Sequence, residues 1–315
     1  MGLLPVGHAE QPRSAFPSRD VQIVVPSEPG GGYDLVARML AKGLSAELAQ
    51  SVIVLNRSGA SGNVGTASVA RAEPDGYTLL LTGVGHLVSP LLHARPGYEP
   101  LKDFVPVAKI ATAPNVLIVH QSLKDMSLAQ LLQDPRSRSG GFAFATAGYG
   151  HSSHLATEVM MSRTGARWLH VPYRGTGPAS KALVSGDVQM MFVPAGTAQT
   201  VLATGMTYAL AVAHPRRLES LPNVPTLAEL GVKNAEFSQW YGVFAPAGTP
   251  EAVTATLHNA AANFIKDPTT ARQLRAMGLE PDPMGKAEFS GFLAAEAQRL
   301  ETLVKKVHAE GAEPK

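Results

Sequence analysis

The sequence predicts an α/β protein of two lobes joined by two crossings, and three observations predict it. Five apolar, strand-like segments each run into a glycine-rich corner and then a helical stretch, the grammar of parallel strands alternating with helices. The chain is 315 residues long, with 45% hydrophobic and 17% charged residues, enough for two ordinary cores. The order of elements completes one α/β unit, builds a second and then returns, so two connections join the lobes and a cleft can lie between them.

Taken in order, the first lobe opens with a strand over residues 21–25, a helix over 33–48, a strand over 52–55, a helix over 64–72 and a strand over 78–82. Each strand is short and β-branched or leucine-rich, and each helix carries apolar residues three and four apart. Asp75-Gly76 and Pro96-Gly97 mark turns, and an apolar stretch over 105–119, broken by Pro106 and Pro114, reads as the first crossing. The second lobe follows with a helix over 127–133, strand 142–146, helix 153–163, strand 169–172, helix 178–185 and strands 188–193 and 208–213. Pro215, Pro222 and Pro225 return the chain to a strand over 242–245, and Pro250 opens a helix to about residue 265. Helices over 269–277 and 286–308 then pack on the first lobe. The expected division is residues 1–20 as a leader remnant or extension, 21–105 with 225–315 as lobe 1, and 106–224 as lobe 2.

Composition excludes several classes. The net charge is +2, with lysine and arginine scattered rather than bunched, so no basic stripe tracks a nucleic-acid backbone. There is no cysteine, hence no disulfide, thiolate metal site or cysteine nucleophile. No apolar run approaches the ~18 residues of a membrane span, so the chain is not expected to be membrane-embedded. Residues 1–20 hold Pro5, Pro12 and Pro17 and lack the apolar centre of a secretory signal, so no intact signal peptide is read there.

The corners carry the candidate chemistry. A glycine cluster between strand and helix leaves backbone N–H groups free, and the helix start adds partial positive charge, which makes Gly30, Gly31 and Gly32 with Tyr33 a candidate anion seat. The plainer alternative is a tight turn, with Asp34 complementing the helix dipole and Arg38 forming a solvated pair with it. Residues 148–154 are richer, because Ser152 and Ser153 offer hydroxyls and can cap a helix whose first amides face the cleft. His151 and His154, three apart, raise a metal site, with His86 the one distant residue that could join them; a capping or hydrogen-bonded histidine is the commoner case, and no metal is assigned. No Gly-x-Ser-x-Gly elbow or Walker loop occurs, and residues 148–153 only half match a dinucleotide fingerprint, so neither a catalytic centre nor a cofactor is expected.

These residues resemble a known family, the Bug-type extracytoplasmic solute receptors of tripartite tricarboxylate transporters. The matching text is Val25-Pro26 through Gly30-Gly31-Gly32 and Asp34, Asn56-Arg57 with Gly59 and Gly62-Asn63-Val64-Gly65, and Pro74-Asp75-Gly76-Tyr77-Thr78-Leu79. It continues with Ser152-Ser153-His154-Leu155-Ala156, His170-Val171-Pro172-Tyr173-Arg174-Gly175-Thr176-Gly177-Pro178-Ala179, Pro225-Thr226-Leu227-Ala228-Glu229 and Trp240-Tyr241-Gly242-Val243-Phe244-Ala245-Pro246. The resemblance implies a periplasmic binding protein of the two-lobed type II (Venus flytrap) kind, holding a small anionic or zwitterionic carboxylate between its lobes. By that similarity the second-lobe grip falls on Thr146, Gly148, Gly150, His151, Ser152 and Ser153 with Tyr173, Gly175 and Gly177. Gly30, Gly31 and Gly32, Ser61, Gly62 and Asn63, and Thr82, Gly83 and His86 close from the first lobe, often with ordered water on that side.

The implied partners are the membrane subunits of a tripartite transporter or a sensor kinase. Two positions depart from the family's usual text. Ser27-Glu28 replace Phe-Pro before the glycines, so Glu28 either faces solvent or pairs with a ligand ammonium, and His151 stands where a small polar residue is common. Two rival readings are the effector-binding half of a regulator, for which no helix-turn-helix precedes residue 21, and a carboxylate-processing enzyme, which would need a catalytic centre.

Overall fold

The computed structural model describes residues 16–173 and 175–309. The expectation for residues 1–15, and Arg174 within the family-like text, lie outside the described residues.

The first lobe opens as β1 (Val21–Val25), α1 (Gly32–Leu48), β2 (Val52–Asn56), α2 (Asn63–Ala70), β3 (Thr78–Gly83) and α3 (Val84–Leu92), followed by the long β4 (Phe104–His120). The second lobe adds α4 (Leu128–Gln133), α5 (Arg136–Ser139), β5 (Ala143–Thr146), α6 (Ser152–Thr164), β6 (Leu169–Pro172), α7 (Thr176–Ser185), β7 (Met190–Pro194), α8 (Ala195–Leu202) and β8 (Thr207–Ala213). The chain returns through β9 (Ser238–Pro246), α9 (Glu251–Lys266), α10 (Pro268–Ala276), β10 (Glu280–Met284) and α11 (Lys286–Ala309).

Strand order runs β2-β1-β3-β9-β4-β7-β5-β6, with β8 and β10 also pairing β4. Every strand that ends in a glycine corner runs parallel to its corner-bearing neighbour: β1 with β2 and β3, and β5 with β6. The crossing strands run the other way, since β9 is antiparallel to β3 and β4, and β4 is antiparallel to β7 and β8. The sheets are therefore mixed, which the corner grammar alone does not predict, because two passes between lobes must alternate in direction.

β4 carries the first crossing in one 17-residue strand. Its residues 104–114 pair β9, and residues 115–120 pair β7 and β8. Proline cannot donate to a ladder, and register shifts near Pro106 and Lys109 absorb the irregularity. The return passes beside it, with Ser238 opposite Pro114 and the Asn115 amide donating to the Phe237 carbonyl at 2.9 Å. Upstream of that point, Thr226 bridges Val212, and Leu227 and Phe237 donate to the Val212 and Ala213 carbonyls, so residues 225–237 are hydrogen-bonded to β8.

Each lobe has its own core, and a third apolar cluster runs through both, joining Leu80, Trp240, Phe244 and Phe289 to Leu117, Phe144 and Leu155. Burying each such aromatic or aliphatic side chain contributes roughly 1.5–3 kcal/mol. α9 packs on α1 and β4, as expected of a first-lobe helix, whereas α11 touches α3, β4 and also α6 of the second lobe. Three elements, α5, α8 and β10, escape the sequence reading, and α3 is given there only as the helical stretch after its glycine corner. β10 contains Pro281 and Pro283 and persists because it is an edge strand that pairs only β4, with a register shift between Pro281 and Met284, and α8 is a short helix whose Ala195, Ala198 and Val201 are buried by tertiary packing.

Candidate functional site: two helix starts at one corner

Because β5 and β6 are parallel neighbours, the helices that follow them start side by side. The Tyr173 N–H donates to the Thr146 carbonyl at 3.0 Å and the Gly175 N–H to the Ala147 carbonyl at 3.2 Å, stitching the two corners together. The cap of α6 is His151, not a serine as the sequence suggests: its Nδ1 accepts from the Ser153 N–H at 3.4 Å. Ser153 Oγ accepts instead from the Ala147 N–H at 3.1 Å, and Thr146 Oγ1 accepts from the Gly148 N–H at 3.2 Å while lying 2.6 Å from His170 Nε2. These groups hold the loop. Ser152 is different: it is 3% exposed and its Oγ has no hydrogen-bond partner. Gly175 turns at φ +105°, and a Cβ at either Gly175 or Gly177 would meet only open space. The starts of α6 and α7 therefore lie side by side, the kind of place where N–H groups and helix dipoles favour an anion.

The wall behind this corner is aromatic, with the partly buried Glu158 carboxylate 3.7 Å from His154 Nε2. His170 stacks between Phe144 (ring centroids 4.9 Å apart) and His154 (4.5 Å), and Tyr149 meets both histidines edge-on. Burial pushes His170 down to about 4 and His154 to about 3, the latter also disfavoured by His170 and His151. His151 has an exposed surface, yet the surrounding protein still desolvates its ring and lowers it to about 4. With values this low the three imidazoles are neutral at pH 7 and add no positive charge to the corner. His154 and His170 lie face to face, and among the described residues no cluster of three or more His, Cys, Asp or Glu side chains could hold a metal.

The first-lobe corners sort by what their groups already do. Asp34 is buried and its carboxylate accepts from the Gly30 N–H at 2.9 Å and from Arg38 Nε at 3.0 Å. The chain's own carboxylate thus fills the seat that the glycines of residues 30–32 suggest, and hydrogen bonding from Arg38 foremost holds Asp34 below the usual carboxylate range. The Arg38 pair is solvated on one side alone: the Arg38 side chain is exposed and Asp34 is buried. Glu28 is exposed and accepts from Ser58 Oγ.

Ser61 is exposed and left-handed at φ +57°, next to Gly62 at +90°. Asn63 is buried and accepts from Ser89 Oγ at 2.7 Å, tying α2 to α3. Thr82 is buried within β3, and any side chain at Gly83 would run into the Trp240 carbonyl 2.0 Å away. His86 is set apart from these: it is 1% exposed, stacks on Tyr98, meets Phe104 and Phe244, and its Nε2 lies 3.0 Å from the Pro100 carbonyl oxygen. Its side chain belongs to the core.

The corner after β5 packs against α3 of the first lobe. A Cβ on Gly150 would lie 2.6 Å from Leu92 Cδ1 and 3.1 Å from Val88 Cγ1, both on α3 of the first lobe. At the other side of the crossing, Gly196 approaches the Met277 carbonyl so closely that a Cβ would sit 2.1 Å from its oxygen. Tyr149, His170 and Gln239 enter this region without having been singled out as ligand residues. No spacing rule joins His154 to His170, and Gln239 lies 206 positions from the Tyr33 it touches.

A two-lobed α/β body with two crossings and an anion-favouring corner at the cleft is a periplasmic-binding-protein architecture of type II. The comparisons with known proteins narrow this class. The family model described as "Tripartite tricarboxylate transporter family receptor" matches residues 36–309. The "UPF0065 protein in tcbD-tcbE intergenic region" of a Pseudomonas species is 36% identical over 291 residues, covering 92% of this chain and 87% of that protein. "Protein BugT" of Bordetella pertussis is 35% identical over 296 residues, covering 93% and 91% respectively. Among solved structures, Rpa4515 of R. palustris with adipate superposes with a TM-score of 0.83 at 34% identity, covering 92% of this chain and 97% of that one. MatC of Rhodopseudomonas palustris with bound malate superposes at 0.79 with 31% identity, covering 92% and 100%. The chain belongs to the TctC (Bug) family of solute-binding receptors, whose members bind solutes and are not enzymes.

Proposed function

We propose that this protein captures a small organic carboxylate between its lobes in the periplasm and delivers it to the membrane subunits of a tripartite transporter. The observation that carries this reading is Ser152 Oγ, buried without a partner at the start of α6, beside the open space at Gly175 and Gly177. A carboxylate there accepts from Ser152 and from free backbone N–H groups, each charge-assisted bond contributing about 1.5–3 kcal/mol before desolvation. The adipate and malate in the related structures support a carboxylate. No described helix is long and apolar enough to cross a membrane, which suits a receptor acting beside its transporter. The moving bodies are proposed as residues 21–114 with 238–305 and residues 115–237, since residues 225–237 are bonded to β8. Closure then shifts the population toward the form in which both lobes touch ligand.

The test is a panel of mono-, di- and tricarboxylates, acidic amino acids and aromatic acids on protein unfolded and refolded to strip copurified ligand. At a hundred times its dissociation constant a bound acid stabilises the fold by about 2.7 kcal/mol, a shift of several degrees. Ser152→Leu should abolish that shift in a protein that still folds; retained binding would overturn the site. A flat panel on refolded wild type would overturn the carboxylate reading.

A further inference from the structure

The far end of the second lobe carries arginines that no carboxylate answers. Between residues 135 and 173 the sequence holds four arginines, Arg136, Arg138, Arg163 and Arg167, no lysine, and one carboxylate, Glu158, which lies 3.7 Å from His154 Nε2. The backbone gathers the four. The Arg167 N–H donates to the Ser137 carbonyl at 2.7 Å, the Gly140 N–H donates to the Arg167 carbonyl at 3.0 Å, and a Cβ at Gly165 would lie 2.4 Å from a guanidinium nitrogen of Arg138. Arg163 stands in the last turn of α6, two residues before that glycine, and all four arginines are exposed.

Their partners leave a surplus of positive charge. Asp134 neutralises Arg136 through bonds of 3.0 and 2.7 Å, and that guanidinium lies over the Phe142 ring. Arg163 Nε donates to the uncharged Asn234 carbonyl at 3.0 Å, and in the adjoining segment the charges of Lys233 and Glu236 cancel. Among the described residues the side chains of Arg138 and Arg167 meet no acceptor. Leu169 sits beside them. Arg167 and Leu169 are exposed while the intervening Trp168 is buried, so both point to the same side, and at 59% Leu169 is the most exposed large apolar side chain among the described residues.

The place of this patch in the fold limits what it can meet. The candidate site follows the ends of β5 and β6, whereas residues 136–142 and 163–169 precede their starts, at the opposite end of the parallel pair. A membrane subunit that takes up the ligand must reach the cleft, so it is not the occupant of this pole. A guanidinium fork matches phosphate oxygens, and basic charge joined to an apolar side chain is what holds a peripheral protein at an anionic lipid interface. We propose that this pole rests on an anionic phospholipid surface, with Arg138, Arg163 and Arg167 on headgroup phosphates and Leu169 against the acyl boundary. Adsorption there leaves the cleft uncovered and does not depend on which acid binds in it.

The experiment is co-sedimentation with vesicles of equal parts phosphatidylglycerol and phosphatidylcholine, with pure phosphatidylcholine as the neutral reference. At low salt wild type should partition onto the anionic vesicles roughly 30- to 100-fold more strongly, and high salt should remove most of that difference. Arg138→Gln with Arg167→Gln should lower the anionic partition roughly 10- to 30-fold, since each basic residue at such a surface contributes about fivefold. Lys42→Gln with Lys266→Gln removes the same charge from α1 and α9 of the first lobe and should change it by less than about twofold. Leu169→Ser, which alters no charge, should lower it roughly threefold. Equal adsorption to both kinds of vesicle, equal loss in the two double variants, or an unchanged Leu169→Ser would each overturn the proposal. Absence of adsorption together with salt-sensitive binding to polyglutamate would overturn it in favour of an acidic protein partner.

Discussion

Replacing Ser152 by alanine should make the free protein more stable and its ligand binding weaker. In the unliganded protein Ser152 is 3% exposed and its hydroxyl has no partner, so folding desolvates a polar group without compensation. A group left in that state costs about 1–3 kcal/mol, and alanine removes it. The helix cap is untouched, because His151 supplies it, and alanine is at least as good a helix former as serine. Each kcal/mol gained should raise the unfolding midpoint by roughly 2 °C in a chain of this size. In the complex the same hydroxyl donates to a carboxylate, and losing about 1.5–3 kcal/mol there weakens binding roughly 10- to 150-fold. Thermal unfolding without ligand and calorimetry with the best acid of the panel read the two effects separately. A variant less stable than wild type, or one of unchanged affinity, would refute the assignment, because the first means that the hydroxyl already has a partner and the second that the ligand does not use it.

Two further outcomes follow from the seam and the histidines. Gly150→Ala puts a Cβ at φ +73° and 2.6 Å from Leu92 Cδ1 across the lobe boundary, so it should favour the open form and raise the dissociation constant. Small-angle scattering with saturating ligand checks it, and a radius of gyration equal to that of wild type would count against a seam at this point. For pH, the buried His86 and His154 and the half-buried His170 have folded values of about 4, 3 and 4, below the unfolded value near 6.5. Between those values the unfolded chain binds more protons, so stability is full above pH 6.5 and is lost as pH falls toward 4. For His86, at 1% exposure, the difference corresponds to roughly 3 kcal/mol. A midpoint that does not fall between pH 6.5 and 4.5 would show that these rings are not held neutral.

Much of the fold is legible because local rules agree with the global arrangement. β1, α1 and β6 fall at or within a residue of their expected bounds, since strand period, glycine corner and helix period all point the same way. Where local and tertiary preferences disagree, the sequence is silent. β10 holds two prolines yet pairs β4, and α8 exists because alanines at 195 and 198 find a core to enter. At the candidate site, the glycines and serines of residues 148–153 stand out locally, but their division of labour does not. That His151 caps, Ser153 braces the loop and Ser152 remains without a partner depends on distances of tenths of an ångström. The seat at residues 30–32 reads as free, yet Asp34, four positions on, folds back to fill it.

By itself the sequence determined the α/β class, the five corners, the two crossings and membership in a family of solute receptors, because each is written in residues close together or in long matched blocks. Only the tertiary structure decided which corner residues are engaged and which are free. It buried His86 among Tyr98, Phe104 and Phe244, stacked His154 on His170, and brought Gln239 to Tyr33. The physical reason is that a polar group's availability depends on every neighbour within hydrogen-bond reach, and those neighbours are set by packing between segments far apart in the chain.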